Sequence, residues 1–318
     1  MLRKLSSRWR VAIVTLLLLA LLAGPGVAGY TAVQEGNSTV DELINLQVME
    51  RQKIEKGRKV FEDLLRQEGL KVPKYGTEEY WQRLAGYADP AGKLRRQDPQ
   101  KWELLDAYAY DYYVRNIVPP IGSPEDELRK QSQQKPAPIV IQGGTYNRSG
   151  AVNYAFYYVG YPNDDPFYKN YNPAYHAFSA DCTNFVSQCL KAGGIPMVDA
   201  WWRPWWDKDD WYYYRHGTDA YDSNNDDDWS WSWVKVQTLH WHIRSRLGTL
   251  VSSPSQLQLG DIVQPDLDRN GKPDDHSMIV TNIDSAGNRY VTYHTTNTPL
   301  RPLSDFYGYP LYLLHITY

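Results

Sequence analysis

The run Asp181-Cys182-Thr183-Asn184-Phe185-Val186-Ser187-Gln188 continues as Cys189-Leu190-Lys191-Ala192 and stops at Gly193-Gly194. Counted from Cys182, the apolar residues Phe185, Val186, Cys189 and Leu190 fall three, four, seven and eight positions on. That spacing is one face of an α-helix, and the glycines are a C-terminal stop. Cys182 therefore opens a buried stripe at the positive end of a helix. Unsatisfied N–H groups and the macrodipole favour a thiolate there. Asp181 is the expected N-cap. Cys182 is thus a candidate nucleophile, and Cys189, deeper on the stripe, belongs to the core. The chain has two cysteines, seven residues apart. On one helix their Cα atoms lie about 10 Å apart, too far for a disulfide, so both are expected to stay reduced.

A nucleophilic thiolate needs a base that takes its proton and returns it to the leaving group. Of seven histidines, His276 opens an apolar, strand-like run, His276-Ser277-Met278-Ile279-Val280-Thr281, after a turn-rich loop. His294 lies in Thr292-Tyr293-His294-Thr295, on the next strand-like run. The turn Asp284-Ser285-Ala286-Gly287-Asn288 makes these two runs antiparallel neighbours. His276 is the expected base, and His294 is expected to orient it. His240 and His242 flank Trp241 in a helical run and read as structural. His176, His216 and His315 lack comparable context.

Working outward, composition changes near residue 140. Residues 30–140 hold eleven Glu and residues 141–318 hold none, which marks two regions. The first 29 residues read as an export segment. Arg3, Lys4, Arg8 and Arg10 precede an apolar run from Val11 to Ala23, and small residues follow at Gly26-Val27-Ala28. Cleavage and retention as an anchor both fit this pattern. Either places the rest of the chain outside the cytoplasm, secreted or held at the cell envelope, with membrane contact only through this segment. The net charge of −3 includes those four basic residues, so the remainder is more acidic still. It has no basic stripe, which excludes nucleic acid as a partner.

Residues 30–129 read as a helical region, with helices over Val40–Gly69, Glu78–Tyr87 and Pro99–Val114. It carries no catalytic constellation and reads as a spacer or docking element. Residues 130–144 are rich in Gln, Ser, Lys and Pro and read as a linker. Residues 145–318 form the second domain. A helix over Ser149–Tyr158, capped by Ser149, and the Cys182 helix come first. Strands follow at Asp261–Gln264, His276–Asn282, Tyr290–Thr295 and Leu311–Thr317. Helices before strands give an α+β class, with a cysteine-bearing helix on an antiparallel sheet.

Two further features stand out. Asp266-Leu267-Asp268-Arg269-Asn270-Gly271-Lys272-Pro273-Asp274-Asp275 places oxygen ligands at alternate positions and glycine sixth. This matches the first half of an EF-hand calcium loop, although Ser277 stands where the bidentate Glu belongs. Asp266, Asp268, Asn270 and Asp274 are the candidate calcium ligands. A solvated Asp/Gly turn is the alternative, and no cofactor is required for the cysteine chemistry. The second feature is an aromatic stretch from Trp201 to Trp241, including Trp205, Trp206, Trp211, Trp229, Trp231 and Trp233. Most of these read as packing residues. Trp211 is assigned to substrate binding, with Asp181, Thr183 and Asn184 beside the nucleophile.

These residues carry a resemblance. Tyr146-Asn147-Arg148, Ala151–Tyr158, Asp181–Gln188, Ala192–Met197, Gly260–Val263, Asp275-His276-Ser277 and Tyr293-His294-Thr295 together resemble the putative amidase domain family of secreted bacterial proteins. That family is similar to NlpC-type and CHAP-type cysteine peptidases. The resemblance covers residues 145–318 and implies a papain-like fold. It implies Cys182 as nucleophile, His276 as base and His294 in the third position. It also implies amide hydrolysis through a thioester, with cell-wall peptide or peptidoglycan as substrate. Ser179-Ala180 replaces the glycine that relatives carry before the Asp-Cys pair. An acyltransferase using the same thioester, and a non-catalytic envelope-binding module on a degenerate hydrolase fold, are the alternatives.

Overall fold

The computed structural model describes residues 40–133, 145–160 and 171–318. The expected export segment and residues 134–144 of the expected linker lie outside them. No helix among the described residues is long and apolar enough to cross a membrane. The architecture is mixed: helices, then a six-stranded antiparallel sheet, which is the α+β order read from sequence.

Four helices build the N-terminal layer: α1 (Val40–Gln67), α2 (Glu78–Ala88), α3 (Lys93–Gln97) and α4 (Pro99–Asn116). Their starts follow local chemistry. The Thr77 side chain accepts from Tyr80 N, and Asp98 accepts from Lys101 N with Pro99 at the first helical position. Helix α1 buries Leu43, Gly57, Phe61 and Leu65. Gly57 is where α1 and α4 meet. A Cβ there would stand 1.9 Å from the Leu104 carbonyl oxygen, so only glycine permits this approach. Helix α5 (Pro124–Gln133) runs into the stretch expected to be linker.

Two central helices follow. In α6 (Arg148–Tyr158), Asn147 rather than Ser149 supplies the cap, accepting from Gly150 N at 2.9 Å. Helix α7 (Cys182–Ala192) is the predicted cysteine helix. It ends where Gly194 adopts φ +88° and Ile195 N bonds back to Leu190 O, a glycine-dependent stop. The aromatic stretch folds into a two-stranded ribbon, β1 (Tyr213–Tyr214) and β2 (Asp228–Trp229), and the short helices α8 (Trp231–Val234) and α9 (Val236–His242).

The main sheet comprises β3 (Gly248–Leu250), β4 (Ile262–Pro265), β5 (Met278–Ile283), β6 (Arg289–Tyr293), β7 (Thr298–Pro302) and β8 (Leu311–Ile316), in the order β3-β8-β4-β5-β6-β7. Alternate side chains serve opposite faces. Ile262, Ile279, Tyr312 and Leu314 pack with Phe185, Val186, Cys189 and Leu190 of α7. Val263, Met278, Val280, Val291 and Tyr293 pack with Leu43, Leu303 and Phe306 in a second cluster.

The helical layer is part of this body. Residues Ser38–Tyr318 form one compact unit, and one apolar cluster joins Phe61, Trp81 and Tyr113 to Trp229, Trp231 and the face under α7. Trp81 packs at 5.3 Å from Trp206 and 6.1 Å from Trp231. A buried Arg95–Asp222 ion pair adds a polar tie, with the Arg95 guanidinium 4.0 Å from the Trp229 ring centre. The N-terminal helices, read from sequence as a spacer or docking element, pack against the rest of this unit and form one of its walls.

Candidate active site

Cys182 is the first residue of α7, 4% exposed, and both cysteines are free. Its Sγ lies 3.7 Å from Thr183 Oγ1. Burial pushes the thiol up. The Ser277 backbone N–H and the Thr183 and Thr295 hydroxyls pull the other way, and Asp181 adds to the rise. Thr183 Oγ1 in turn lies 3.2 Å from Ser277 Oγ. The start of α7 is thus held against the entry to β5.

Asp181 stands at the N-cap position, but its side chain makes no cap hydrogen bond. One oxygen accepts from Phe178 N at 3.0 Å and Asn184 Nδ2 at 2.9 Å. The other meets His294 Nδ1 at 2.6 Å, both groups fully buried. The capping role read from sequence is therefore replaced by a buried Asp181–His294 pair. His294 Nε2 lies 2.7 Å from the Tyr158 carbonyl oxygen, and its ring stacks on Phe185 at 4.0 Å. A carbonyl offers only an acceptor, so both ring nitrogens are committed. The expected His294–His276 hydrogen bond is absent.

The reason is register. A bulge between Val280 and Asn282 brings Ile279 opposite Thr292, so His294, the residue after β6, falls on the side of Ser277 and not of His276. Adjoining side chains on extended chain turn opposite ways. Ser277 turns to Thr183, whereas the His276 ring packs edge-on against Tyr293 at 4.8 Å. Neither His276 nitrogen has a hydrogen-bond partner, and burial pulls its pKa from 6.5 to about 3. The backbone brings His276 within one residue of the group contacting the thiol, but the expected Cys182–His276 hydrogen bond is not formed. Counting straight back from the Asp284–Asn288 turn, with Ile283 opposite Arg289, puts His294 opposite Met278 on the His276 side; the bulge between Val280 and Asn282 moves it to the Ser277 side.

A cleft of about 480 Å³ opens beside Cys182. One wall is Phe178–Ala180, Cys182, Thr183 and Val234–Gln237; the opposite wall is α1 and α4, with Glu50, Arg51, Glu103 and Asp106. The third is the loop Asp268–Asp275. Helix α1 touches both loops: Lys53 reaches Ser179 Oγ at 3.0 Å, and Gln47 and Arg51 bond Asp275.

Of the residues assigned to substrate binding, Thr183 lines this cleft, whereas Asp181 and Asn184 lie beneath it in internal hydrogen bonds. Trp211 is a correction. It is fully buried, donates Nε1 to Ser187 Oγ at 3.0 Å, packs at a tilt on Trp233 and stacks on His242. It supports α7 from behind. Trp201 and Trp202 are the exposed tryptophans of the stretch.

In the candidate calcium loop, oxygens of Asp266, Asp268 and Asp275 lie within 4.8 Å of one another. Asp275 thus stands where the sequence reading placed Asp274. Asn270 pairs with Asp268 and Asp274, and Asp266 accepts from Asn270 N and Gly271 N. Arg51 bonds Asp268 and Asp275. Burial and then neighbouring carboxylates raise Asp274 to about 6 and Asp275 to about 7. The donor set is all oxygen, as a hard cation requires, and its charge is only partly met by Arg51.

A family model described as "Putative amidase domain" matches residues 145–316. A protein of Bacillus subtilis (strain 168), described as uncharacterized protein YhbB, is 31% identical over 162 residues, which is 49% of this chain and 43% of that protein. The chain thus spans less than half of that relative's length. No solved structure matches.

Proposed function

The chain belongs to the putative amidase domain family, and from that premise we propose that it is a cysteine-dependent amidase on a papain-like domain, with Cys182 as nucleophile and His276 as base. The single observation that carries this reading is Cys182, a reduced cysteine at a helix start that lines a cleft large enough for a peptide segment. His276 is favoured over His294 by hydrogen-bond capacity. His294 has both nitrogens committed to Asp181 and Tyr158, while both nitrogens of His276 are unspent. The shifts on the pair also point one way. Burial raises the thiol and lowers the imidazole, because each would carry an unmatched charge. Transfer of the proton from Cys182 to His276 makes a thiolate and an imidazolium that neutralise each other. This requires the His276 ring to leave Tyr293 and turn toward the thiol as substrate enters.

The thiolate then attacks the amide carbonyl, forming a C–S bond. The imidazolium gives its proton to the departing amine as the C–N bond breaks. Water, deprotonated by the imidazole, releases the acid and regenerates the thiol. In this reading the Cys182 backbone N–H, at the start of α7, donates to the oxyanion. Asp181 and His294 act as a buried clamp that fixes the α7 start against β6. Cell-wall peptide outside the cytoplasm is the proposed substrate and place of action. The test is digestion of purified cell-wall fragments followed by mass analysis. A mass gain of one water across an amide, lost in both Cys182→Ala and His276→Ala, supports the reading. Equal turnover in either variant removes it.

A further inference from the structure

Four side-chain amides are buried among the described residues: Asn184, Gln188, Gln237 and Gln264. Buried amides are nearly always hydrogen-bonded, because each holds two donors and two acceptor sites. Asn184 bonds His176 O, Asp181 and Trp233. Gln264 bonds His240, Val236 O and Ser277, and Gln188 accepts from Tyr154. Gln237 is the exception. It is 1% exposed, and its Oε1 has no partner.

Its position explains why this matters. Gln237 lies in the first turn of α9 and lines the Cys182 cleft. Its neighbours are tied down. Thr238 Oγ1 donates to Trp231 O at 3.0 Å, and the Val236 carbonyl accepts from Gln264 Nε2 at 3.0 Å. From Gln264 the contacts run to Ser277 Oγ at 3.2 Å, on to Thr183 Oγ1 at 3.2 Å, and to Cys182 Sγ at 3.7 Å. The backbone under Gln237 is therefore in fixed register with the thiol. The side chain is held at the cleft without an internal hydrogen bond, where leucine or methionine would avoid the penalty of an unpaired buried amide.

We propose that Gln237 positions the substrate: its side-chain amide pairs with a peptide group of the chain bound in the Cys182 cleft. An amide offers a donor and an acceptor on one planar group, and its natural complement is another amide presenting C=O and N–H together. A lone cation or anion would use half of that capacity. The inference rests on the cysteine-amidase reading and names the substrate feature read by that site, a secondary amide flanking the scissile bond. Gln237 acts by holding substrate, so its loss acts on recognition and leaves the thiol's own chemistry intact.

The test compares two reagents on the full chain. Methyl methanethiosulfonate reports thiol reactivity without any amide group. A dipeptidyl acyloxymethyl ketone reports the same thiol with amides in the cleft. The expected result is a rate ratio favouring the peptidyl reagent that falls tenfold or more in Gln237→Leu. The thermal midpoint stays equal or rises, because no internal hydrogen bond is lost. Gln237→Met serves if the leucine variant does not fold. A structural role would lower both rates together, lower the midpoint and leave the ratio unchanged. A ratio unchanged in the variants, including one already near unity in the unmodified protein, overturns the inference alone. Absence of Cys182 labelling by both reagents in the unmodified protein overturns the cysteine reading and this inference with it.

Discussion

Replacing His276 by leucine changes how stability depends on pH, and the sign follows from burial. In the folded protein the imidazole's pKa is pulled from 6.5 to about 3. Between those values the unfolded chain binds a proton that the folded chain refuses, so stability falls as pH falls through 6.5. At pH 5 the unfolded-state histidine lies about 1.5 units below its pKa, which is worth about 2 kcal/mol. At pH 8 the contribution is close to zero. His240 and His242 are buried in the same way, at about 4 and about 3, but they are present in both proteins and cancel in the difference. The assay is urea unfolding followed by tryptophan fluorescence from pH 8 to pH 5. The stability of the unmodified protein minus that of His276→Leu should fall by about 2 kcal/mol across that range. The difference is used because the cavity term in the variant is independent of pH. A flat difference would show that His276 is hydrated in the folded state. A difference that grows toward acid would show a resting thiolate–imidazolium pair, and would refute the neutral resting state from which the mechanism starts.

Three further outcomes test the architecture. Gly57→Ala sets helix propensity, a gain of about 1 kcal/mol, against a Cβ placed 1.9 Å from the Leu104 carbonyl. The clash should win, lowering stability by about 2 kcal/mol in urea unfolding, and a stabilised variant would contradict the close crossing of α1 and α4. Trp211→Ala should lower stability by about 3–5 kcal/mol, since Trp211 is core; a variant with normal unfolding and weakened substrate binding would restore it to the cleft. Millimolar calcium should raise the thermal midpoint, and Asp266→Asn should abolish the rise, because Asp266, Asp268 and Asp275 converge. Absence of both heat and thermal shift on titration ends that idea.

Much of the fold can be read from sequence wherever local chemistry decides it. Thr77, Asp98-Pro99 and Gly193-Gly194 set helix limits with side chains or backbone of their own segment. The near-continuous apolar runs of β5 and β8 report strands packed on both faces. β3 has three residues, and β7 contains Pro299 and Pro302. Both lack a periodic signature and take strand form from their partners β8 and β6. The site was half legible. Cys182 announces itself by helix position. The facing of His276 and His294 depends on pairing register, which one residue inverts. Asp181 looks like a cap because composition cannot reveal a histidine 113 positions away. Gln237 carries no local signal at all; it becomes visible only when every other buried amide has been matched to a partner.

The most direct measurement is acid-quenched intact-mass analysis of the protein during turnover of cell-wall peptide. A thioester adduct mapped to Cys182, cleared by hydroxylamine and missing in Cys182→Ala together with all product, is the predicted result. Product released at an unchanged rate by Cys182→Ala, with no adduct on the unmodified chain, would contradict the account.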